Sequence, residues 1–100
     1  MKSLSILIPV FNEEESLLAL FGELKNHFEN NSAIEVIFIN DGSSDQSQYL
    51  IEKEITHHSS WKLINLYRNY GKSVALQSGI DISTGELIAT LDADLQDDPK

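Results

Sequence analysis

The chain has 100 residues, a formal net charge of −9, a hydrophobic fraction of 41% and no cysteine. That is enough for one small domain with a modest core; it argues against wholesale disorder and excludes disulfides, thiolate metal sites and cysteine nucleophiles. So acidic a chain has no electrostatic footprint for nucleic acid and is repelled by anionic membranes, so any phosphate it meets needs an intermediary such as a divalent metal.

The first apolar run, LSILIPVF (residues 4–11), is too short for a helix and contains Pro9. It reads as a buried strand with the proline at or near its C-terminal end. The N-terminus, with one lysine and an apolar run broken by Pro9, makes a poor signal peptide. No stretch reaches the roughly 18–20 apolar residues of a membrane span. Residues 12–31 read as an amphipathic helix. Asn12 stands at the N-cap, Glu15 at the capping-box position, and Leu17, Leu20 or Phe21, Leu24 and Phe28 recur at helical spacing.

IEVIFIN (34–40) is a second strand, ending in the turn cluster DGSSD, where Ser44 or Asp45 can cap the next helix, residues 46–58. WKLINLY (61–67) is a third strand with Trp61 as a core residue. Residues 68–83 begin as a loop and become a helix stopped at Thr84-Gly85. ELIATLDA (86–93) is a fourth strand. The alternation predicts an α/β fold, three-layer α/β/α, with a mostly parallel sheet and right-handed crossovers. The pattern stops just after its fourth strand, which points to the first part of a larger domain.

In a parallel sheet the C-terminal strand ends share one rim, where open α/β sheets bind ligands. The polar clusters fall at those ends: Asn12-Glu13-Glu14, Asp41 to Asp45, Arg68 to Lys72, and Asp92-Ala93-Asp94. Each has a plain structural reading. Asn12 and Glu15 are caps, Glu13 is an acid favoured in a first helical turn, and Asp41-Gly42 is a common turn dipeptide. His57 and His58 decorate a helix C-terminus, His27 lies on a polar helix face, and Lys72 is either a solvated lysine or a phosphate contact. Asp97, Asp98 and Pro99 read as a solvated turn. The pair Asp92-x-Asp94 is weak alone, but at a strand end both carboxylates can turn toward one hard cation, with Gln96 adding a neutral oxygen. Such donors suit Mg²⁺ or Mn²⁺ with positions left open for phosphates. The run YGKS lacks the glycine that a phosphate-binding loop needs at position 66, and Asp97 stands where a calcium loop needs glycine.

Together, SILIPVFNEEESL, VIFINDGSSDQS, NYGKSVALQSGID and GELIATLDADLQDDP resemble the family-2 glycosyltransferases of the GT-A fold, in that family's order and over nearly the whole chain. The run Asp-Ala-Asp-Leu-Gln-Asp is particularly similar to the branch that uses polyprenyl-phosphate acceptors, such as dolichyl-phosphate mannose synthases and undecaprenyl-phosphate glycosyltransferases. The resemblance implies residues 1–100 to be the N-terminal, nucleotide-sugar-binding part of an inverting, metal-dependent enzyme. Pro9, Phe11 and Glu13 would border the nucleoside pocket, Asp41 would bond the base or ribose with Ile39 nearby, and Asp92 and Ala93 would lie against the ribose and pyrophosphate. Asp92, Asp94 and Gln96 would surround Mg²⁺ or Mn²⁺, while Arg68 and Lys72 approach the phosphates. The implied partners are a UDP- or GDP-sugar donor and a lipid-phosphate acceptor at the cytoplasmic face of a membrane, with a homo-oligomer possible. The acceptor-binding half and any general base are expected after Lys100, so these 100 residues alone would bind nucleotide weakly, if at all, and not turn over.

Other readings remain open at this point. One is a glycosyltransferase acting on a polysaccharide or cell-wall acceptor. An Asp-x-Asp phosphatase would need its pair on an early strand and Thr or Val at position 96. A Mg²⁺-binding receiver-like regulatory module would group its acids after the first strand.

Overall fold

The computed structural model describes residues 2–28 and 31–94. Strands β1 (Leu4–Val10), β2 (Ile34–Asn40), β3 (Trp61–Asn65) and β4 (Leu87–Thr90) alternate with helices α1 (Glu14–Phe28), α2 (Ser47–Ile55) and α3 (Lys72–Ile82). All strand pairs are parallel, in the order β3-β2-β1-β4. This is the expected α/β architecture; β2 matches its sequence pattern and the other elements are shorter than theirs.

Strand alternation sorts the core into two halves. Ile6, Ile8, Val10, Val36 and Phe38 pack with Leu17, Leu20, Phe21 and Leu24 of α1 and Ile51 of α2. Phe38 lies at its centre, with its ring 5.8 Å from Phe21, edge-on, and 5.6 Å from Trp61. On the opposite face Leu7, Ile37 and Ile39 meet Ala75 of α3. The helices therefore flank the sheet on both sides, and β2 is buried along its whole length. β4 is an edge strand with all four residues exposed.

Pro9 lies near the C-terminal end of β1, as expected, in register with Ile39. The ladder shows why a proline is tolerated there. Val10 points its carbonyl at β2, accepting from the Asp41 amide, whereas Leu7 points its carbonyl the other way, accepting from Leu91. Pro9 shares the orientation of Leu7, so its missing N–H faces the β4 side. The paired register of β4 ends at Thr90 opposite Leu7, so the missing donor falls where the edge-strand ladder stops.

The start of α1 corrects the expected capping. Asn12 has a φ of 53°, in the left-handed region, whereas an N-cap residue needs extended backbone; the helix begins two residues later. The cap comes from the far side of a loop: the Glu13 amide donates to Ser47 Oγ (2.9 Å) and the Glu14 amide to Asp45 Oδ2 (3.2 Å). Glu14, not Glu15, reciprocates, with its Oε1 accepting from the Gln46 amide (2.9 Å). The N-cap of α2 is Gln46 rather than Ser44 or Asp45, but Asp45, one residue earlier, still serves the helix start, its Oδ1 accepting from the Ser47 amide (2.9 Å). Burial raises the Asp45 carboxyl, but the Ser47 hydroxyl and amide and the Glu14 amide outweigh it and hold the group below its usual range.

The two adjacent histidines also part company. His57 is exposed, but His58 is not a surface decoration: its ring stacks on Trp61 at 3.8 Å and bonds Glu54 Oε2 at 2.9 Å. Lys25 reaches the same Glu54 oxygen at 3.5 Å, tying α1 to α2. Replacing His58 by Ala removes one ring stack and one hydrogen bond and should cost about 1–2 kcal/mol in urea unfolding, whereas His57→Ala should change stability by less than about 0.5 kcal/mol.

A carboxylate closes the opposite end of the sheet. Glu35 is 8% exposed. It accepts hydrogen bonds from Ser5 Oγ, from the Thr84 amide (2.7 Å) and from Thr84 Oγ1 (3.1 Å), and it pairs with Lys62 Nζ at 2.9 Å. Ser5 Oγ in turn accepts from the Gly85 amide at 2.8 Å. One side chain thus joins β1, β2, β3 and the turn into β4. Burial pushes this carboxyl up, but the Ser5, Thr84 and Lys62 donors together bring it from 4.5 down to about 2.

Candidate functional site

The order β3-β2-β1-β4 reverses direction once. The chain steps outward from β1 to β3, then returns past β2 and β1 to place β4 on the far side. Such a reversal leaves a crevice at the C-terminal strand ends, because successive loops leave in opposite directions. A cleft of about 480 Å³ opens there. Pro9, Val10 and Phe11 line it from the end of β1, and Glu13 from the start of α1. Asp41 stands at the end of β2; Asn69, Gly71 and Lys72 come from the β3–α3 loop; Asp92, Ala93 and Asp94 follow β4.

Asp41 organises one wall. It is 4% exposed, and its carboxylate accepts from the Tyr70 amide (2.8 Å), the Gly71 amide (3.0 Å) and Asn69 Nδ2 (3.1 Å). Asn69 Nδ2 also donates to the Asp41 carbonyl at 3.1 Å. The β2–α2 loop is fixed from its other side by Asn12, whose Oδ1 accepts from the Ser44 amide (2.8 Å) and the Asp45 amide (3.2 Å), and whose own amide donates to Ser43 Oγ (2.9 Å). The loops after β1, β2 and β3 are thereby bonded into one rim, with a buried aspartate at its centre.

The other wall is acidic and open. Ala93 is buried in the core cluster, which anchors the segment, while Asp92 and Asp94 flank it at the cleft. Lys72, the first residue of α3, reaches Asp92 Oδ1 at 3.2 Å; both side chains are more than half exposed, so this ion pair is weak. Among the described residues lining the cleft, four are acidic and Lys72 alone is basic. A cleft with this balance repels an anion unless a further positive charge joins it.

The donor set suits a hard cation: two carboxylate oxygen donors at a solvent-open lip, one already held by an ammonium group. A divalent ion with open positions for phosphate oxygens fits that chemistry. Among the described residues no group of three metal-ligating side chains is preassembled, so Asp92 and Asp94 would need a third donor from elsewhere.

Eight of the residues singled out in the sequence meet in this cleft: Pro9, Phe11, Glu13, Asp41, Lys72, Asp92, Ala93 and Asp94. Ile39 does not. It is fully buried against α3, where Gly79 packs close to it, because odd-numbered β2 residues before the strand end face the helix. Arg68 also lies off the cleft lining, its guanidinium over the Tyr70 ring at 5.2 Å. Gln96, and the turn at Asp97 to Pro99, lie outside the described residues. Val10, Asn69 and Gly71 line the cleft without having been assigned. Asn69 and Gly71 belong to a polar cluster visible in the sequence, but nothing in their spacing marks them as partners of Asp41.

Comparison with known proteins gives a consistent picture. The model of the family described as "Glycosyl transferase family 2" matches residues 5–100. An uncharacterized glycosyltransferase of Synechocystis sp. is 40% identical over 98 residues, covering 97% of this chain and 31% of the relative. Among solved structures, the mannosyltransferase PcManGT of Pyrobaculum calidifontis, in complex with GDP-Man and Mn²⁺, superposes with a TM-score of 0.86 at 20% identity, over 93% of this chain and 28% of that one. TarS of S. aureus in complex with UDP-GlcNAc gives 0.83 at 24% identity, over 92% and 26%. The structural likenesses establish the fold: the sheet and helices match the nucleotide-binding half of a GT-A fold. The chain spans less than a third of the length of each of these proteins.

Proposed function

We propose a function from one premise: this chain belongs to glycosyl transferase family 2. It is the donor-binding part of an inverting glycosyltransferase that moves a sugar from a nucleotide-diphosphate sugar to an acceptor. The observation that carries this reading is the convergence of Pro9, Asp41, Lys72, Asp92 and Asp94, from four strand ends, on one cleft at the point where the strand order reverses. That a structural neighbour holds GDP-Man with Mn²⁺ and another holds UDP-GlcNAc supports a nucleotide-sugar donor.

Within this reading Pro9, Phe11 and Glu13 border the nucleoside. Asp41 offers the one acceptor position left on its carboxylate to the base or ribose, and Lys72 lies at the diphosphate end. Asp92 and Asp94 would hold Mg²⁺ or Mn²⁺, with Gln96 as a further oxygen donor, and the bound ion supplies positive charge to the departing diphosphate. The acceptor is a polyprenyl phosphate, on the similarity of Asp92 to Asp97 to that branch, and the enzyme works at the cytoplasmic face of a membrane. An acceptor of this kind is already anionic near neutral pH, which lessens the demand for a strong general base.

The test is titration of the ¹⁵N-labelled chain with UDP, UDP-GlcNAc and GDP-mannose, with and without Mg²⁺. Weak binding, in the millimolar range, should shift the amides around Asp41, Gly71 and Asp92, and only when Mg²⁺ is present. Shifts of equal size without the metal, or none with any of the three ligands, would count against the reading.

A further inference from the structure

The resemblance gives Asp41 to the nucleoside, yet its carboxylate is already committed to the protein. Three donors converge on it, two of them consecutive backbone amides at Tyr70 and Gly71. The next residue in the chain is Lys72, which opens α3 and stands 3.2 Å from Asp92 across the cleft. The backbone at Gly42 lies directly against Arg68 and Asn69, so the two loops are in contact as well as bonded. Lys72 is also the basic side chain in an otherwise acidic lining among the described residues.

We propose that Asp41 is a positioning residue for the anion end of the cleft: by gathering Asn69, Tyr70 and Gly71 it sets where Lys72 stands, and so where the cleft carries its own positive charge. The ionised carboxylate is essential, because a neutral amide in its place presents an N–H to at least one of the two backbone amides. A loop held in this way meets a diphosphate with Lys72 already ordered. A released loop leaves Lys72 to find its place at the cost of side-chain entropy. The role of the site as a diphosphate site rests on the function proposed above; the positioning of Lys72 does not.

Two measurements separate these. The first uses no ligand. Reductive ¹³C-dimethylation gives Lys72 an NMR signal, assigned by its loss in Lys72→Gln. Asp92→Asn should displace that signal by removing the ion-pair partner, and Asp41→Asn should displace it likewise, with the far-UV spectrum unchanged. An unmoved Lys72 signal in Asp41→Asn overturns the proposal. The second titrates inorganic pyrophosphate with Mg²⁺, a probe with no base or ribose for Asp41 to read. Asp41→Asn and Lys72→Gln should each weaken it roughly threefold to tenfold, and the double substitution should be no weaker than Lys72→Gln alone. Independent, multiplying losses also overturn the proposal. If the wild-type chain ignores pyrophosphate while the Lys72 signal responds as expected, the diphosphate reading fails and the positioning stands. Should Asp41→Asn not fold, Asn69→Ala, which removes only the side-chain arm of the clamp, should produce the same displacement of the Lys72 signal in smaller measure; an unmoved signal there is equally fatal.

Discussion

Glu35→Gln should lower the unfolding free energy at pH 7 by on the order of 3 kcal/mol, and the difference from wild type should disappear as the pH approaches 2. Glutamine keeps the size of the side chain but not its charge. It leaves Lys62 without a counter-ion and turns an N–H toward donors at Ser5, Thr84 or Lys62, which together now serve one carboxylate. The folded carboxyl titrates at about 2, below its ordinary 4.5, so the folded state favours the ionised form. The stabilisation is therefore complete above about pH 4.5, shrinks as the pH falls, and is gone once the folded group itself is protonated near pH 2. Other carboxylates, Asp45 and Glu54 among them, also weaken the fold in acid, so the quantity to follow is the difference between wild type and variant in urea unfolding at pH 7, 4, 3 and 2. A difference below about 0.5 kcal/mol at pH 7, or one that persists undiminished at pH 2, would show that the clasp contributes little.

That clasp was invisible in the sequence for a definite reason. IEVIFIN reads as a buried strand, and its one charge looks like an end residue turned to solvent. Glu35 instead stands on the α3 face at the bottom of the sheet, where Ser5 lies opposite it in register and the turn after α3 brings Thr84 back. Its donors come from Ser5, 30 positions before it, and Thr84, 49 positions after it, and no local pattern encodes that. The same limit explains Asn12. Local spacing makes it a helix cap, but its bonds run to Ser44 and Asp45, more than thirty residues away. The parts that were legible are those in which period and chain order decide the outcome. Alternating apolar runs gave strand, helix and layer, and parallel strands put four polar clusters on one rim. Six of the eight cleft residues, Glu13, Asp41, Lys72, Asp92, Ala93 and Asp94, lie in those clusters, whereas Pro9 and Phe11 were implied by the family resemblance. Ile39 was misplaced because proximity in sequence to Asp41 says nothing about whether a strand residue faces a helix or a rim.

Gly42→Ala should be comparably damaging, by about 2–5 kcal/mol, and it should strike the cleft rather than the bottom of the sheet. Two effects add. Gly42 has a φ of 73°, where an L side chain is strained by about 1–2 kcal/mol. A Cβ there would also overlap the backbone of Arg68 and Asn69, which cannot swing aside as the end of a side chain can. Either the β2–α2 loop or the Arg68–Gly71 loop must retreat, and the Asp41 bonds to Tyr70 and Gly71 stretch with it. The amides of Tyr70 and Gly71 should therefore lose protection from hydrogen exchange, while those of β2 that bond β1 keep most of theirs. Gly42→Asn separates the two causes. Asparagine tolerates a positive φ better than alanine but carries the same Cβ, so a loss equal to that of Gly42→Ala assigns the effect to the overlap with the neighbouring loop. If Asn restores most of the stability, the close approach of the two loops is softer than their contact implies. The wall of the cleft would then rest on the Asp41 hydrogen bonds alone.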